Sequence, residues 1–144
     1  MKLADSNVWL ALVLSAHEHH LQVSTWLSRL TAEEEVAFCR MTELALLRLL
    51  TTRAVLSPYG NPPLTNVQAL ELYDGLLADA RVTFAQEPSG LETHWKGLAH
   101  VPSSSPKLWM DAYLAAFAIA GGHQLVTIDA AFTQFQGLDL VLLQ

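Results

Sequence analysis

Four acidic residues lie at the ends of apolar, strand-like segments or in the first turns of the helical segments that follow: Asp5, Glu43, Asp111 and Asp129. In open α/β sheets ligands bind at the carboxyl ends of the strands, so the four carboxylates are predicted to converge. Oxygen donors without cysteine or a convincing histidine set favour a hard cation, Mg²⁺ or Mn²⁺. Such an ion can activate water and offset charge on a phosphate group, which is the chemistry that these residues could perform.

Asp111 is the most informative of the four acids. It interrupts a segment that is apolar on nearly every helical face, so the helix around it is predicted to be buried. A buried lone carboxylate is very costly unless it is paired or binds a metal, and arginine partners are scarce in this chain. A cation from outside is therefore favoured. Asp5, Glu43 and Asp129, taken singly, could equally be helix caps or partners of helix dipoles.

The elements that must position these acids alternate between short strands and longer helices. Five segments are predicted to be strands: Lys2–Ala4, Val36–Cys39, Val82–Phe84, Gln124–Ile128 and Asp139–Leu142. Six segments are predicted to be helices: Val8–Ala16, His20–Leu30, Thr42–Thr51, a segment capped by Thr65 and ending near Ala80, Leu91–Ala99 and Trp109–Ala120. This alternation predicts one α/β domain over residues 1–144, with a parallel sheet flanked by helices.

Composition limits the function classes. Hydrophobic residues make up 51% of the chain, which excludes intrinsic disorder, and the low charged fraction of 15% predicts surfaces covered by a partner or a second copy. The net charge of −6 shows none of the excess of basic residues that is typical of nucleic-acid-binding proteins. Without the four acids the chain is close to neutral, so an RNA or DNA substrate is not excluded.

The cellular compartment follows from two further features. The single cysteine, Cys39, cannot form an internal disulfide, which fits a reducing compartment. The longest apolar run is far short of the ~20 residues that a membrane helix needs. The apolar run Val8–Leu14 resembles the core of a signal peptide, but Asp5 and Asn7 lie where a signal peptide is positive or apolar, and a histidine-rich segment follows. We expect a cytoplasmic protein without a membrane segment.

The segments around the four acids resemble the motifs of PIN-domain nucleases. Leu3–Leu10, which contains Asp5-Ser6-Asn7, is similar to their opening strand and turn. Phe38–Thr51, Leu108–Ala116 and Leu125–Phe132 look like their second, third and fourth acidic blocks. The order and spacing cover nearly the whole chain, and more narrowly they resemble VapC-type toxins, the ribonuclease half of type II toxin–antitoxin pairs.

The resemblance implies a fold, an activity and partners. It implies a strand order of 3-2-1-4-5, metal-dependent endonucleolytic cleavage of RNA that inhibits translation or growth, and usually a homodimer. It also implies a cognate antitoxin, whose C-terminal segment we expect to lie as an amphipathic helix across the first two helices and the Glu43 helix. A basic residue of that segment could enter the acidic site and compete with the metal.

Carried over by position, the resemblance also implies roles for single residues. Asp5 and Asp111 would bind the metal directly, and Glu43 and Asp129 would complete the catalytic site, directly or through water. Asn7 and Thr127 would hold Asp5 and the scissile phosphate in place. Two departures from the family pattern concern Ser6, where threonine is more common, and Ala130 and Ala131, where a basic residue is common. RNA contacts at the last two positions are expected to be weaker or to come from elsewhere.

Three other groups of residues have open interpretations. His17, His19 and His20 flank Glu18 and could hold a metal, but the spacing lacks a fourth ligand, which favours a solvated turn. Arg40, Arg48 and Arg53 could contact RNA, or could pair with acids of this chain or of the antitoxin. Four tryptophans are predicted to belong to the core rather than to stack on bases: Trp9, Trp26, Trp95 and Trp109.

Two other functions compete with RNA cleavage. Phosphoryl transfer through an aspartyl phosphate usually requires a second aspartate two residues after the first, where Asn7 stands, and a lysine near a later strand, whereas none follows Lys107. A catalytically degenerate copy that acts only as a binding or regulatory module is the third possibility. The four acids argue against it, and the missing basic residue after Asp129 argues for it.

Overall fold

Five short parallel strands form one sheet, and the computed structural model describes all residues from 1 to 144. The strands are β1 (Lys2–Ala4), β2 (Val36–Phe38), β3 (Val82–Phe84), β4 (Gln124–Thr127) and β5 (Leu140–Leu142). Their order across the sheet is β3-β2-β1-β4-β5, and every neighbouring pair is parallel. The predicted fold class and strand order are confirmed.

Seven α-helices connect and cover the strands. They are α1 (Ser6–Val13), α2 (His20–Ser28), α3 (Arg40–Leu50), α4 (Arg53–Leu56), α5 (Asn66–Leu77), α6 (Leu91–Ala99) and α7 (Leu108–Gly121). Two 3₁₀ turns, Ser57–Tyr59 and Ala130–Gln134, complete the chain. The sequence did not predict α4 or the first 3₁₀ turn, because elements of three or four residues are too short to show a periodic apolar pattern. The second turn agrees with the alternative in which Asp129 is a helix cap.

The start of α3 depends on a cap that the sequence pattern obscured. The helix begins at Arg40, two residues before the predicted start, because Cys39 is extended and serves as its N-cap. The Thr42 hydroxyl accepts a hydrogen bond from the backbone N–H of Cys39 at 3.0 Å, which closes a capping box. This cap fixes which faces of α3 point toward the sheet and toward solvent.

The central strand brings the candidate site together. Within β1, Leu3 pairs with Ala37 of β2 on one side and with Leu125 of β4 on the other. The backbone N–H of Asp5 then donates to the carbonyl of Val126 at 2.9 Å, so β1 and β4 end side by side. Residues that follow these two strands must therefore lie at the same edge of the sheet.

The core has two layers because successive residues of a strand point to opposite faces of the sheet. On one face Phe38 packs with Trp9 of α1, the rings stacked with centroids 3.9 Å apart, and with Tyr73 of α5. On the other face Leu3 and Phe117 belong to the layer that α7 covers. No helix is both long and apolar enough to cross a membrane.

The first turn of α7 corrects one prediction. Trp9 is 1% exposed and belongs to the core, but Trp109 and Met110 are 58% and 57% exposed. A helix of this length spans about 21 Å, whereas a strand of four residues spans about 13 Å. The middle of α7 is buried on the sheet, and its first turn extends beyond the sheet and exposes apolar side chains.

Candidate active site

A cleft of about 310 Å³ opens where β1 and β4 end. Three carboxylates line it, one after β1, one in the first turn of α7 and one after β4: Asp5, Asp111 and Asp129. Met41 and Ala45 of α3 form the opposite wall, and Lys107 lies at the rim. The structure thus brings together three of the four acids that the sequence predicted to converge.

Asp5 is held in a fixed orientation. It is the N-cap of α1, and its Oδ1 accepts a hydrogen bond from the backbone N–H of Ser6 at 2.7 Å. Its Oδ2 accepts from the hydroxyl of Thr127 at 2.9 Å. Burial raises the pKa of the Asp5 carboxyl, these hydrogen bonds lower it in part, and the charge of Asp111 raises it again. The net shift is upward, so the ionised carboxylate lacks full compensation.

Thr127 links Asp5 to the end of β4. Its side chain is fully buried, and its hydroxyl accepts a hydrogen bond from the backbone N–H of Asp129 at 3.1 Å while donating to Asp5. The side-chain amide of Asn7 donates to the same hydroxyl at 3.3 Å, and the Asn7 carbonyl accepts from the backbone N–H of Ile128 at 3.4 Å. Thr127 and Asn7 therefore fix the relative positions of Asp5 and Asp129.

Asp129 is the most exposed of the three acids. It is extended and caps the 3₁₀ turn Ala130–Gln134, where its Oδ1 accepts from the backbone N–H of Ala131 at 2.9 Å. Its Oδ2 has no hydrogen-bond partner within the protein. This oxygen is free to accept a proton or to bind a ligand in the cleft.

Asp111 differs from the other two acids because its carboxylate has no hydrogen-bond partner. It is half-buried, and burial raises the pKa of its carboxyl, as does the negative charge of Asp129, while Lys107 lowers it. The sequence predicted that Asp111 is buried and has no arginine partner. In the structure no arginine pairs with Asp111, but the helix turn around it is half-exposed rather than buried. A carboxylate in this position gains from any cation that enters the cleft.

Lys107 is the only cationic side chain that lines the cleft, and no sequence motif predicted this role. It lies directly before α7, in the N-cap position, one helical turn from Asp111. A basic residue was expected near Asp129, where Ala130 and Ala131 stand instead. Lys107 supplies a positive charge to the cleft from α7 rather than from that turn.

Glu43 does not line the cleft, so the structure does not bring this residue together with the other three acids. Met41 and Ala45 are one turn apart and face the cleft, whereas Glu43 lies between them in sequence and roughly 200° around the helix from each. Its carboxylate forms an ion pair with Arg40 instead. Burial, and then the nearby Glu43 carboxylate, raise the pKa of the Tyr73 hydroxyl on α5.

The carboxylates suit a divalent cation but do not form a closed cage around one. No three Asp, Glu, His or Cys side chains lie close enough together to hold one ion. Mg²⁺ dehydrates reluctantly, keeps several waters and commonly binds through one or two carboxylates. The unpaired Asp111 carboxylate and the free Oδ2 of Asp129 fit this open mode of binding.

The histidines lie in a structural turn rather than in a metal site. The ring of His17 stacks on Tyr59 with centroids 5.3 Å apart, and Nδ1 of His20 lies 2.8 Å from the carbonyl of Ala11. Nδ1 of His19 is buried without a partner. The rings of His17 and His19 lie 5.8 Å apart, but the three histidines do not form a cluster that could hold a metal ion, which favours the interpretation of a turn that leads into α2.

None of the three arginines singled out by the sequence lines the cleft. Arg40 lies over the ring of Phe84, 4.7 Å from its centroid, and pairs with Glu43. Arg48 lines a separate cavity between α3 and α5. Arg53 begins α4 and forms no ion pair.

Comparisons with known proteins agree with this geometry. The PIN domain family matches residues 2–138. The chain is 53% identical over 144 residues to Ribonuclease VapC41 of Mycobacterium tuberculosis, covering 99% of both chains. Its fold is similar to a structure of VapBC2 from Rickettsia felis bound to a promoter DNA fragment, with a TM-score of 0.66 and 15% identity over 99% of this chain and 98% of that one. A second similar structure is Mycobacterium tuberculosis VapC20, described as a sarcin-ricin loop cleaving toxin, with a TM-score of 0.65 and 17% identity over 96% and 98% of the two chains.

Proposed function

The chain belongs to the PIN-domain family and, within it, to the VapC ribonucleases, and we propose that it cleaves RNA endonucleolytically at the cleft lined by Asp5, Asp111 and Asp129. The observation that carries this proposal is the convergence of three carboxylates, from three separate segments of the chain, on one cleft. The cleft lies at the carboxyl ends of parallel strands, where α/β folds place their ligands.

We propose that the cofactor is Mg²⁺ or Mn²⁺, held directly by Asp5 and Asp111, with Asp129 completing the site. An ion bound there lowers the pKa of a coordinated water and offsets charge on the phosphate. The raised pKa values of Asp5 and Asp111 support this assignment, because burial raises both and the positive charge of Lys107 offsets the shift of Asp111 only in part.

The side chains of the cleft have separate tasks in this proposal. Thr127 donates to Oδ2 of Asp5, which leaves the carboxylate one fixed orientation. Oδ2 of Asp129 accepts the proton of the attacking water, since its other oxygen is occupied by the N–H of Ala131. The ammonium of Lys107 attracts the phosphate backbone of RNA to the rim.

Glu43 has a positioning role in the proposal rather than a place among the reacting groups. Its pairing with Arg40 joins the first and fourth residues of α3, and Met41 and Ala45 on that helix form one wall of the cleft. Loss of the Glu43 charge would then alter the helix start while leaving the three carboxylates in place.

We propose that a cognate antitoxin binds the helices next to the cleft. Leu21 on α2 and Leu44 on α3 are 75% and 57% exposed, and an amphipathic helix of a partner would cover such side chains. A basic residue from that helix could reach the acids of the cleft. We propose that the chain acts in the cytoplasm, where an RNA substrate is present and where a single free cysteine, Cys39, is common.

We also propose a homodimer. Val67 and Leu70 expose apolar side chains on α5, and Leu70 borders the cavity that contains Arg48. A second copy of the chain would bury this face. Sedimentation of the chain alone tests the proposal, because a monomer at tens of micromolar would contradict it.

The test of the proposed function is cleavage of total bacterial RNA, with new 5′ ends mapped by sequencing. We expect discrete cleavage sites with Mn²⁺ or Mg²⁺ and none with EDTA or with the Asp111→Asn variant. Cleavage that persists in EDTA would refute metal dependence. RNA that stays intact under all conditions, but is retained by the protein, would support a degenerate binding module instead.

A further inference from the structure

A second cleft continues from the first along the start of α7. It has a volume of about 560 Å³, within the range of sites that hold small molecules. Both clefts are lined by Lys107 and Asp111, so they meet at these two residues. The far wall of the second cleft comes from the loop before α7 and from the 3₁₀ turn after Asp129.

The lining of the second cleft differs from that of the first. Apart from the shared Asp111 it contains no acid, and Lys107 is its only cation. Val101 and Pro106 supply apolar contact surface, and Val101 is 42% exposed. Ser103, Ser105 and Gln134 supply neutral hydrogen-bonding groups. This mixture suits a flat, uncharged group with polar edges rather than a metal ion or a peptide of basic residues.

The polar groups keep unused hydrogen-bonding capacity that points to a ligand. The hydroxyls of Ser103 and Ser105 lie 3.1 Å apart, so one donates to the other and one hydroxyl proton remains free. The side-chain nitrogen of Gln134 donates to the carbonyl of Ala131 at 2.9 Å, which leaves its carbonyl oxygen without a partner. A free donor and a free acceptor therefore lie in one cleft, as the edge of a nucleobase requires.

From this geometry we infer that the second cleft is a specificity subsite for one nucleotide of the RNA strand, the nucleotide adjacent to the cleaved bond. The inference rests on the proposed function and adds a nucleotide-reading site to it. The scissile phosphate lies at the acids, Lys107 contacts a phosphate at the junction of the clefts, and the base turns out of the strand into the second cleft. Ser103, Ser105 and Gln134 read the edge of that base, and Val101 and Pro106 contact its face.

The first experiment measures nucleotide preference. An RNA containing a mapped cleavage site is randomised on both sides of the cleaved bond. It is incubated with the wild type, Gln134→Ala or Ser103→Ala, and the cleaved products are sequenced. The control is Gln22→Ala, which changes an exposed residue on α2. We expect the wild type and Gln22→Ala to share a preference at one position next to the bond. That preference should fall about five- to tenfold in Gln134→Ala and Ser103→Ala, the effect of losing one hydrogen bond.

The second experiment measures binding without cleavage. Fluorescence anisotropy in EDTA compares an oligoribonucleotide carrying the mapped site with the same oligomer lacking the base at the preferred position. The wild type should bind the abasic oligomer at least about five- to tenfold more weakly, because every contact with the base is lost and a single hydrogen bond already accounts for that factor. The Ser103→Ala, Gln134→Ala double variant should discriminate less between the two oligomers, because only Val101, Ser105 and Pro106 still contact the base. Its melting temperature should match that of the wild type because both positions are exposed.

The outcomes separate this inference from the proposed function. If the wild type cleaves RNA and the variants keep its nucleotide preference and its discrimination against the abasic oligomer, the subsite is refuted and the ribonuclease stands. If the wild type cleaves no RNA with Mn²⁺, both the function and the subsite are refuted. Relaxed preference at the one position, with reduced discrimination between the two oligomers by the double variant, supports the subsite.

Discussion

Replacement of Asp111 by asparagine separates a metal-binding acid from a structural one. The carboxylate of Asp111 has no hydrogen-bond partner, so its replacement by asparagine breaks no hydrogen bond. It also removes the repulsion by which Asp129 raises the pKa of the Asp111 carboxyl. Without metal the Asp111→Asn variant should therefore be as stable as the wild type or more stable.

The expected gain is limited by the partial exposure of the site. Charge interactions at such sites are worth up to about 1 kcal/mol, because solvent screens them. In a chain of 144 residues this corresponds to a rise in melting temperature of at most about 2–4 °C. With Mn²⁺ at a hundred times its dissociation constant, the wild type should gain about 2.7 kcal/mol, and the variant much less.

The pH dependence has a defined sign. The folded-state pKa of Asp111 lies above its ordinary value of 3.8, so the protonated form favours folding. That contribution is complete below 3.8 and is lost as pH rises through the raised pKa. Metal-free wild type should thus lose more stability than Asp111→Asn between acidic and neutral pH.

Thermal melts in EDTA and in Mn²⁺, followed by an RNA cleavage assay on the same samples, test this reasoning. Asp111→Asn should not cleave RNA. Its melting temperature should equal or exceed that of the wild type in EDTA and should be lower than that of the wild type in Mn²⁺. The control Asp5→Asn should lose stability in EDTA, because Asp5 accepts hydrogen bonds from both Ser6 and Thr127. An Asp111→Asn protein that is about 1–3 kcal/mol less stable in EDTA and still cleaves RNA would refute the account, since that is the effect of a broken buried interaction.

Three further predictions concern the surroundings of the cleft. Thr127→Val should lower the free energy of unfolding by about 1–3 kcal/mol in urea titrations and slow RNA cleavage, because a buried hydroxyl that serves Asp5 and Asp129 is lost; undiminished cleavage would contradict the role given to Thr127. Glu43→Gln should reduce the cleavage rate less than tenfold, whereas Asp111→Asn should reduce it at least about a hundredfold; equal losses in kinetic assays would place Glu43 at the reacting groups. Hydrogen bonds from Arg81 hold the pKa of Asp79 at about 2, so this stabilisation is present above 3.8 and is lost as pH falls toward 2. Asp79→Asn should therefore flatten the acid limb of the stability curve by at most about 1 kcal/mol, given its exposure, and an unchanged limb in acid titrations would show that the pair contributes nothing.

The strands followed from local sequence signals, whereas their order followed from the resemblance to PIN-domain nucleases. Val82–Phe84 and Leu91–Ala99 have the predicted bounds, because apolar segments bounded by polar turns define short elements well. Asp5 and Asp129 were located by the rule that ligands meet at strand ends, which needs only the chain order of the strands.

The face on which a helical residue lies was harder to predict. Glu43 was placed correctly in the first turn of α3, but its direction depends on the Cys39 cap and on the burial of Thr42 and Leu46. Spacing along the chain does not define that register. The exposure of Trp109 and the position of Lys107 depend in the same way on how far α7 extends beyond the sheet.

Electron paramagnetic resonance of free Mn²⁺ gives the most direct test of the acid cleft as a metal site. Titrations compare the wild type with Asp5→Asn, Asp111→Asn and Asp74→Asn, the last an exposed carboxylate on α5 that serves as the control. We predict equal Mn²⁺ affinity for the wild type and Asp74→Asn, and at least tenfold weaker binding for the two cleft variants, as expected when a ligand is lost. Equal binding by all four proteins would contradict the assignment of the metal to Asp5 and Asp111.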